Sequence, residues 1–164
     1  NPVKQKVLVS GASSFVGCHL VRGFSQTSAW EVVPAGSKNS KNYQSYQSQR
    51  IEFGGEKNNW AILNLKDEAV IKKFIEKVCP DIWIHHAGYA TNYASPSYDN
   101  KEGYDTNVAP LKYIFESLAQ NDCKGVIVTG SSMEYNTLTQ RNCVWSQTHA
   151  FPLAHTVNLD LRKP

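Results

Sequence analysis

Between Val7 and Leu20 the chain reads VLVSGASSFVGCHL, and this stretch constrains the fold more tightly than any other. A run suited to a buried strand meets a glycine turn and then an apolar helical pattern, so the backbone must reverse between Ser10 and Gly17. A helix that begins at such a turn aims its unpaired N–H groups and the positive end of its dipole beyond the strand tip. A pyrophosphate is the ligand best suited to that position. Gly11 permits the tight turn and Gly17 lets the helix pack closely on the strand. The spacing is G-x-x-S-x-x-G, with Ser14 where a middle glycine would bring backbone closest to phosphate, although a hydroxyl there still offers a donor. An ordinary strand-turn-helix reads the same way in isolation, so the weight falls on the rest of the chain.

The 164 residues are enough for one domain with a sizeable core, and 41% hydrophobic with 19% charged residues is an ordinary globular composition. The net charge of +3 comes from scattered lysines and arginines, which gives no electrostatic case for nucleic acid or an acidic membrane surface. No apolar run is long enough to span a bilayer and the N-terminus lacks a basic-then-apolar secretion profile, so the chain reads as cytoplasmic. It starts at Asn1 rather than Met, which suggests that a few leading residues are missing. Cys18, Cys79, Cys123 and Cys143 have neither paired nor metal-like spacing; four reduced, mostly buried thiols are expected.

Strands are expected over Lys6 to Ser10, Glu31 to Ala35, Trp60 to Leu65, Asp81 to His85 and Gly125 to Thr129, and helices over Phe15 to Ser25, Asp67 to Val78 and Tyr104 to Asn121. In the first helix Phe15, Val16, Leu20 and Phe24 are spaced to face one side, and in the second Val70, Phe74 and Val78 recur at four-residue steps. In the long third helix Leu111, Ile114, Phe115 and Leu118 point inward, while Pro110 should bend the helix or free a carbonyl. The polar stretch from Ser37 to Asn59 is long for a connection, with partial helix expected around Tyr43 to Gln49. Strands alternating with helices argue for an α/β fold with a parallel, doubly wound sheet, whose ligands lie at the carboxyl ends of the strands.

That carboxyl edge carries the chemistry. After the second strand, an acidic residue would hold the ribose 2′-hydroxyl of NAD; Gly36, Ser37 and Lys38 stand there instead, suit a 2′-phosphate and point to NADP. A solvated loop lysine is the competing reading of Lys38. Asn64 and Leu65 fall where such a fold lays the adenine, although capping of the next helix explains Asn64 equally well. The fourth strand delivers His86, Ala87 and Gly88, and small residues at this tip let a nicotinamide ribose pass close to the backbone. His85 and His86, adjacent on a strand, point to opposite faces and have no third ligand nearby, so no metal site is expected. The fifth strand ends in the cluster Gly130-Ser131-Ser132.

Taken together, VLVSGASSFVG, PDIWIHHAG, Thr106-Asn107-Val108 and VIVTGSSMEY, in this order from Val7 to Tyr135, resemble the extended short-chain dehydrogenase/reductases, the nucleotide-sugar epimerases, dehydratases and reductases. The resemblance implies a Rossmann-type sheet, NADP or NAD as cofactor, a nucleotide-sugar substrate and hydride transfer at a sugar carbon. It implies Gly11, Ser14, Phe15, Val16 and Gly17 as the phosphate loop and Ser37 and Lys38 as the ribose-selecting positions. Asn64 and Leu65 would contact the adenine, Ala87 and Gly88 would lie beside the nicotinamide, and Asn107 would prop up the site. Ser131, four residues before Tyr135, would hydrogen-bond the reacting sugar oxygen as the catalytic hydroxyl. The dehydratase branch carries an Asp-Glu pair directly after it; Ser132 and Met133 stand there here, which disfavours dehydration.

The family's base is a tyrosine in Y-x-x-x-K, whose lysine lowers the phenol's pKa so that phenolate takes the sugar hydroxyl's proton. This chain has no such motif. Ala154-His155-Thr156 stands near the expected place, with Asn158, Leu159 and Asp160 where the lysine should fall; Tyr135 and His155 remain as candidates, neither with a lysine at helical spacing. The base-bearing segment and the family's substrate-binding half are either missing from residues 1–164, which would then be a truncated dinucleotide-binding domain, or never present. Three readings stay open: the dinucleotide-binding domain of a nucleotide-sugar epimerase or reductase, a catalytically inactive relative that holds a dinucleotide, and a scaffold domain that no longer binds nucleotide. Family members often pair through the long helix and the catalytic one, so a homodimer is an open expectation.

Overall fold

Val7, Leu8 and Val9 have no exposed surface although successive side chains on a strand point to opposite faces, so both sides of the sheet must be covered. The structure, a computed structural model, describes residues 4–56, 59–92 and 95–130 and the strand at 155–157. The strands are β1 (Gln5–Ser10), β2 (Trp30–Gly36), β3 (Ala61–Ile62), β4 (Ile82–His85), β5 (Gly125–Val128) and β6 (His155–Val157). The helices are α1 (Phe15–Ser25), α2 (Ser45–Gly54), α3 (Glu68–Val78), α4 (Asn100–Asn107) and α5 (Ala109–Gln120).

The sheet order is β3-β2-β1-β4-β5-β6. The first five strands pair in parallel, as expected of a doubly wound α/β fold, and β6 joins β5 antiparallel with Val126 opposite Val157. On one face Leu8, Trp83 and Val126 pack against Ile71 and Ile75 of α3 and Ile114 and Leu118 of α5. On the other, Val7, Val9, Val32 and Ile84 pack against Val21 of α1. Each fully buried aliphatic side chain contributes about 2 kcal/mol, so the two layers hold the strand tips in fixed register. Asp81 ties the amino edge together: its carboxylate accepts the Lys6 N–H at 2.7 Å and its carbonyl accepts the Lys124 N–H at 2.8 Å. Burial alone would raise the Asp81 pKa, but hydrogen bonds and charge from Lys124 and Lys6 hold it below the usual carboxylate value.

Several elements differ from the sequence reading. Phe15 and Val16 are 62% and 45% exposed, and the buried residues of α1 are Gly17, Cys18 and Val21, while Leu20 and Phe24 are partly buried. The turn starts the helix with its first two residues clear of the sheet, and the 3.6-residue period brings the later set inward. In α3 the inner stripe is Ile71 and Ile75, with Val70 outside and Phe74 and Val78 flanking. The expected long helix is two helices that meet at Val108, which ends α4 and precedes α5. Pro110 sits in the first turn of α5, where a missing N–H costs nothing, so it starts a helix rather than bending one.

The strand expected over Trp60 to Leu65 pairs only at Ala61 and Ile62, as a short edge strand, and leaves Leu63 to Leu65 as loop at the carboxyl edge. The helix expected around Tyr43 to Gln49 is α2, preceded by a 3-10 turn at Ser40–Asn42. Cys18 and Cys123 are buried free thiols, as expected, but Cys79 is exposed because it is the left-handed residue, φ 45°, that closes α3. Among the described residues no helix is long and apolar enough to cross a membrane. Ser131, Ser132, Met133, Tyr135, Cys143, Ala154 and Asn158 to Pro164 lie outside the described residues, and of His155 only its place in β6 is described.

Candidate functional site

At the tip of β1 the chain turns through Gly11, whose φ of +69° is open to glycine and strained for other residues. A Cβ there would stand 2.9 Å from Ala87 backbone, so the turn after β1 and the turn after β4 touch. Ser14 caps α1: its Oγ accepts the Gly17 N–H at 2.9 Å, and its carbonyl accepts the Cys18 N–H. The N–H groups of Phe15 and Val16, in the first helical turn, therefore have no acceptor within the helix, and no acidic side chain occupies that turn. Ser14, standing where a middle glycine would, fixes the helix start, and its hydroxyl proton stays available to a ligand. Gly17 is required by packing, since a Cβ would lie 2.2 Å from the Gly11 carbonyl oxygen.

The free N–H groups stand beside a cleft of about 600 Å³ along the carboxyl edge of the sheet, a volume in the range of small-molecule and cofactor sites. Of the residues expected from sequence, Gly11, Ser14, Ser37, Lys38, Asn64, Leu65, Ala87 and Gly88 line it. Phe15, Val16 and Gly17 do not line it; they form the first turn of α1, directly after Ser14 on the wall. Asn107 stands behind the wall and clamps the loop after β4, its Oδ1 accepting the Tyr89 N–H at 2.6 Å and its Nδ2 donating to the Tyr89 carbonyl at 3.0 Å. Ser131, expected to follow β5, lies outside the described residues.

Lys38 is exposed at the end of β2, with its carbonyl accepting Trp60 Nε1–H at 3.0 Å and its ammonium 5.0 Å from the centre of the Tyr43 ring. Asn64 does not cap a helix: its Oδ1 accepts the Lys66 N–H at 3.2 Å, and Asp67 is the residue that caps α3. Leu65 is buried, and its carbonyl accepts the Tyr113 hydroxyl. An ion pair from Lys66 to Glu102 of α4 joins two walls of the cleft.

Some cleft residues were not legible in the sequence. Ser10, fully buried, donates its hydroxyl to the Ile84 carbonyl and accepts the N–H groups of His86 at 3.0 Å and Ala87 at 3.1 Å. Arg50 of α2 lines the cleft with its guanidinium 4.7 Å from the Tyr46 ring centre and 5.7 Å from that of Phe15. Its only sequence signal is a cation twelve positions beyond Lys38 in a polar stretch. The two adjacent histidines, His85 at the end of β4 and His86 just beyond it, diverge. His85 is buried, with Nδ1 accepting Trp83 Nε1–H at 3.4 Å, and burial first and then His86 push its pKa down to about 4. His86 lines the cleft beside Thr129, and burial lowers its pKa as well. Among the described residues no group of three or more His, Cys, Asp or Glu side chains is arranged to hold a metal.

A parallel sheet wound on both faces, whose first strand-turn-helix opens onto a cleft across the reversal of strand order, defines a Rossmann-type nucleotide-binding domain. The model of the NAD dependent epimerase/dehydratase family matches residues 7–157, and the chain belongs to that family. A search of curated proteins gives no match. Among solved structures, the fold is similar to ADP-L-glycero-D-manno-heptose-6-epimerase of Helicobacter pylori, with TM-score 0.70 and 19% identity over 87% of this chain and 44% of that one. It is similar to UDP-glucose-4-epimerase of Stenotrophomonas maltophila with bound NAD and formylated UDP-arabinopyranose, with TM-score 0.62 and 17% identity over 88% of this chain and 41% of that one. A UDP-glucuronic acid 4-epimerase mutant of Bacillus cereus, in complex with NAD and a fluorinated UDP-sugar, gives TM-score 0.65 and 18% identity over 92% and 47%. The chain thus spans less than half the length of each of these structures.

Proposed function

We propose that residues 1–164 form the dinucleotide-binding domain of an NADP-dependent nucleotide-sugar epimerase or reductase that acts by hydride transfer at a sugar carbon. The observation that carries this reading is the start of α1, where the cap Ser14 lines a cleft of dinucleotide size and the N–H groups of Phe15 and Val16 that follow it are unneutralised by any acidic residue. In this reading Gly11, Ser14 and Gly17 shape the turn that holds the pyrophosphate. Asn64 and Leu65 lie along the adenine, Ala87 and Gly88 leave room for the nicotinamide ribose, and Asn107 keeps the Tyr89 loop in place. Ser37 and Lys38 take the 2′-phosphate, and Arg50, another cation on the cleft wall, supports NADP over NAD.

The dinucleotide, when bound, supplies the hydride acceptor and donor. Ser131 hydrogen-bonds the reacting oxygen of a nucleoside-diphosphate sugar. The three structures compared above are all epimerases, and two hold UDP-sugars, which supports that substrate class. The protein works in the cytoplasm, without nucleic-acid or membrane partners, and pairs as a homodimer through α4 and α5, where Tyr104 and Val108 are exposed. The test uses the full gene product that carries this sequence, incubated with NADP and a panel of nucleoside-diphosphate sugars. Inversion of one sugar carbon seen by NMR, or reduction of the dinucleotide seen by its fluorescence, is expected. A gene product that binds NADP but turns over no member of the panel is instead a dinucleotide-holding relative without catalysis.

A further inference from the structure

Strand order decides which half of the cleft His86 occupies. β2 and β3 flank β1 on one side, β4 and β5 on the other. A dinucleotide whose phosphates sit at the start of α1 therefore lays its adenosine over β2 and β3 and its second nucleoside over β4 and β5. In that second half, His86 Nδ1 lies 2.7 Å from Thr129 Oγ1, and Thr129 Oγ1 donates to the His85 carbonyl at 3.3 Å. A threonine hydroxyl has one proton. With that proton on the carbonyl, its lone pair receives Nδ1–H of His86, and the neutral ring keeps its own lone pair on Nε2. Burial favours this neutral form, and Nε2 has no hydrogen-bond partner among the described residues although the ring lines the cleft.

We propose that His86 is a binding residue for the non-adenosine half of the dinucleotide: Thr129 fixes the tautomer, and Nε2 accepts a hydrogen bond from a ribose hydroxyl or a carboxamide N–H. The inference rests on the dinucleotide reading above and deepens it. Thr129 orients the ring, His86 touches the ligand, and the pair together set where the second nucleoside comes to rest.

The test is a set of titrations with NADPH, ADP-ribose and ADP on the wild-type protein and on His86→Asn and His86→Gln. Asparagine places a polar atom near the position of Nδ1, beside Thr129, but nothing at the position of Nε2; glutamine puts an acceptor close to that position. His86→Asn is expected to weaken NADPH about tenfold and leave ADP unchanged, while His86→Gln recovers most of the loss. ADP binding serves as the check that the cleft is folded. A parallel loss for ADP-ribose assigns the donor to the ribose hydroxyl, and a loss confined to NADPH assigns it to the carboxamide. Unchanged NADPH affinity in His86→Asn, or an equal loss for ADP, overturns the proposal. A wild-type protein that binds none of the three ligands overturns the dinucleotide reading itself.

Discussion

The hydroxyl of Ser10 accepts the backbone N–H of His86 at 3.0 Å, a bond from the last residue of β1 to the first residue beyond β4. The same oxygen accepts the Ala87 N–H and donates to the Ile84 carbonyl, so one buried side chain holds the two strand tips between which the cleft opens. Ser10→Ala leaves two backbone donors without that acceptor in a site with little access to water. A loss of about 2 kcal/mol in stability is expected, read from urea denaturation, together with weaker dinucleotide binding. Unchanged stability would show that water replaces the hydroxyl without cost.

Two glycines of α1 should respond in opposite directions. A Cβ on Gly17 would lie 2.2 Å from the Gly11 carbonyl oxygen, which is backbone and has no side-chain freedom to yield. Gly17→Ala should therefore push the helix off the strand and destabilise by about 3 kcal/mol. A Cβ on Gly23 meets nothing within 4 Å, so Gly23→Ala should stabilise by about 1 kcal/mol through helix propensity alone. Thermal melts of the two variants check the contrast, and a Gly17→Ala protein as stable as the wild type contradicts the packing described.

The strand-turn-helix from Val7 to Leu20 was legible because hydrophobic run, glycine and helical period all agree there. The parallel sheet followed from the alternation of elements, and the part of the cleft wall at the strand tips, such as Gly11, Ser37, Ala87 and Gly88, followed from the carboxyl ends of the strands. What escaped lies where sequence carries no periodic signal. Phe15 and Val16 belong to an apolar run, yet they sit in the first turn, beyond the reach of the sheet. Pro110 reads as a kink inside one helix until the break at Val108 is seen. Arg50 reaches the cleft from a helix with little apolar pattern, and Ser10 looks like one more strand residue until its partner on β4 is known.

The stability of the domain should depend on pH through His85. Burial, and then His86, push this imidazole down to about 4 from the ordinary 6.5, so the unfolded chain binds a proton that the folded protein rejects. The contribution is full above about pH 6.5 and is lost as pH falls toward about 4, which corresponds to about 3 kcal/mol. Urea midpoints across that range should decline in the wild type and decline less in His85→Leu. Equal slopes in the two proteins would place the acid sensitivity elsewhere.

Coenzyme choice should respond to Lys38 and Arg50, two of the three Lys and Arg side chains of the cleft wall, the third being Lys66 in its ion pair with Glu102. Lys38→Ala and Arg50→Ala are each expected to weaken 2′,5′-ADP about tenfold while leaving 5′-ADP within about twofold, because only the former carries the phosphate they would meet. Calorimetric titration of both ligands measures the difference. If Lys38→Ala affects neither ligand, Lys38 is a solvated loop lysine.

Titration of the purified chain with NADPH and with NADH, following the enhancement and blue shift of nicotinamide fluorescence, bears on the whole reading of the cleft. Saturable NADPH binding, at least about tenfold tighter than NADH, is the expected result, with the pyrophosphate held at the start of α1 and the 2′-phosphate by Lys38 and Arg50. Absence of binding for either dinucleotide at about millimolar concentration, where even a free energy near −4 kcal/mol would register, would contradict it.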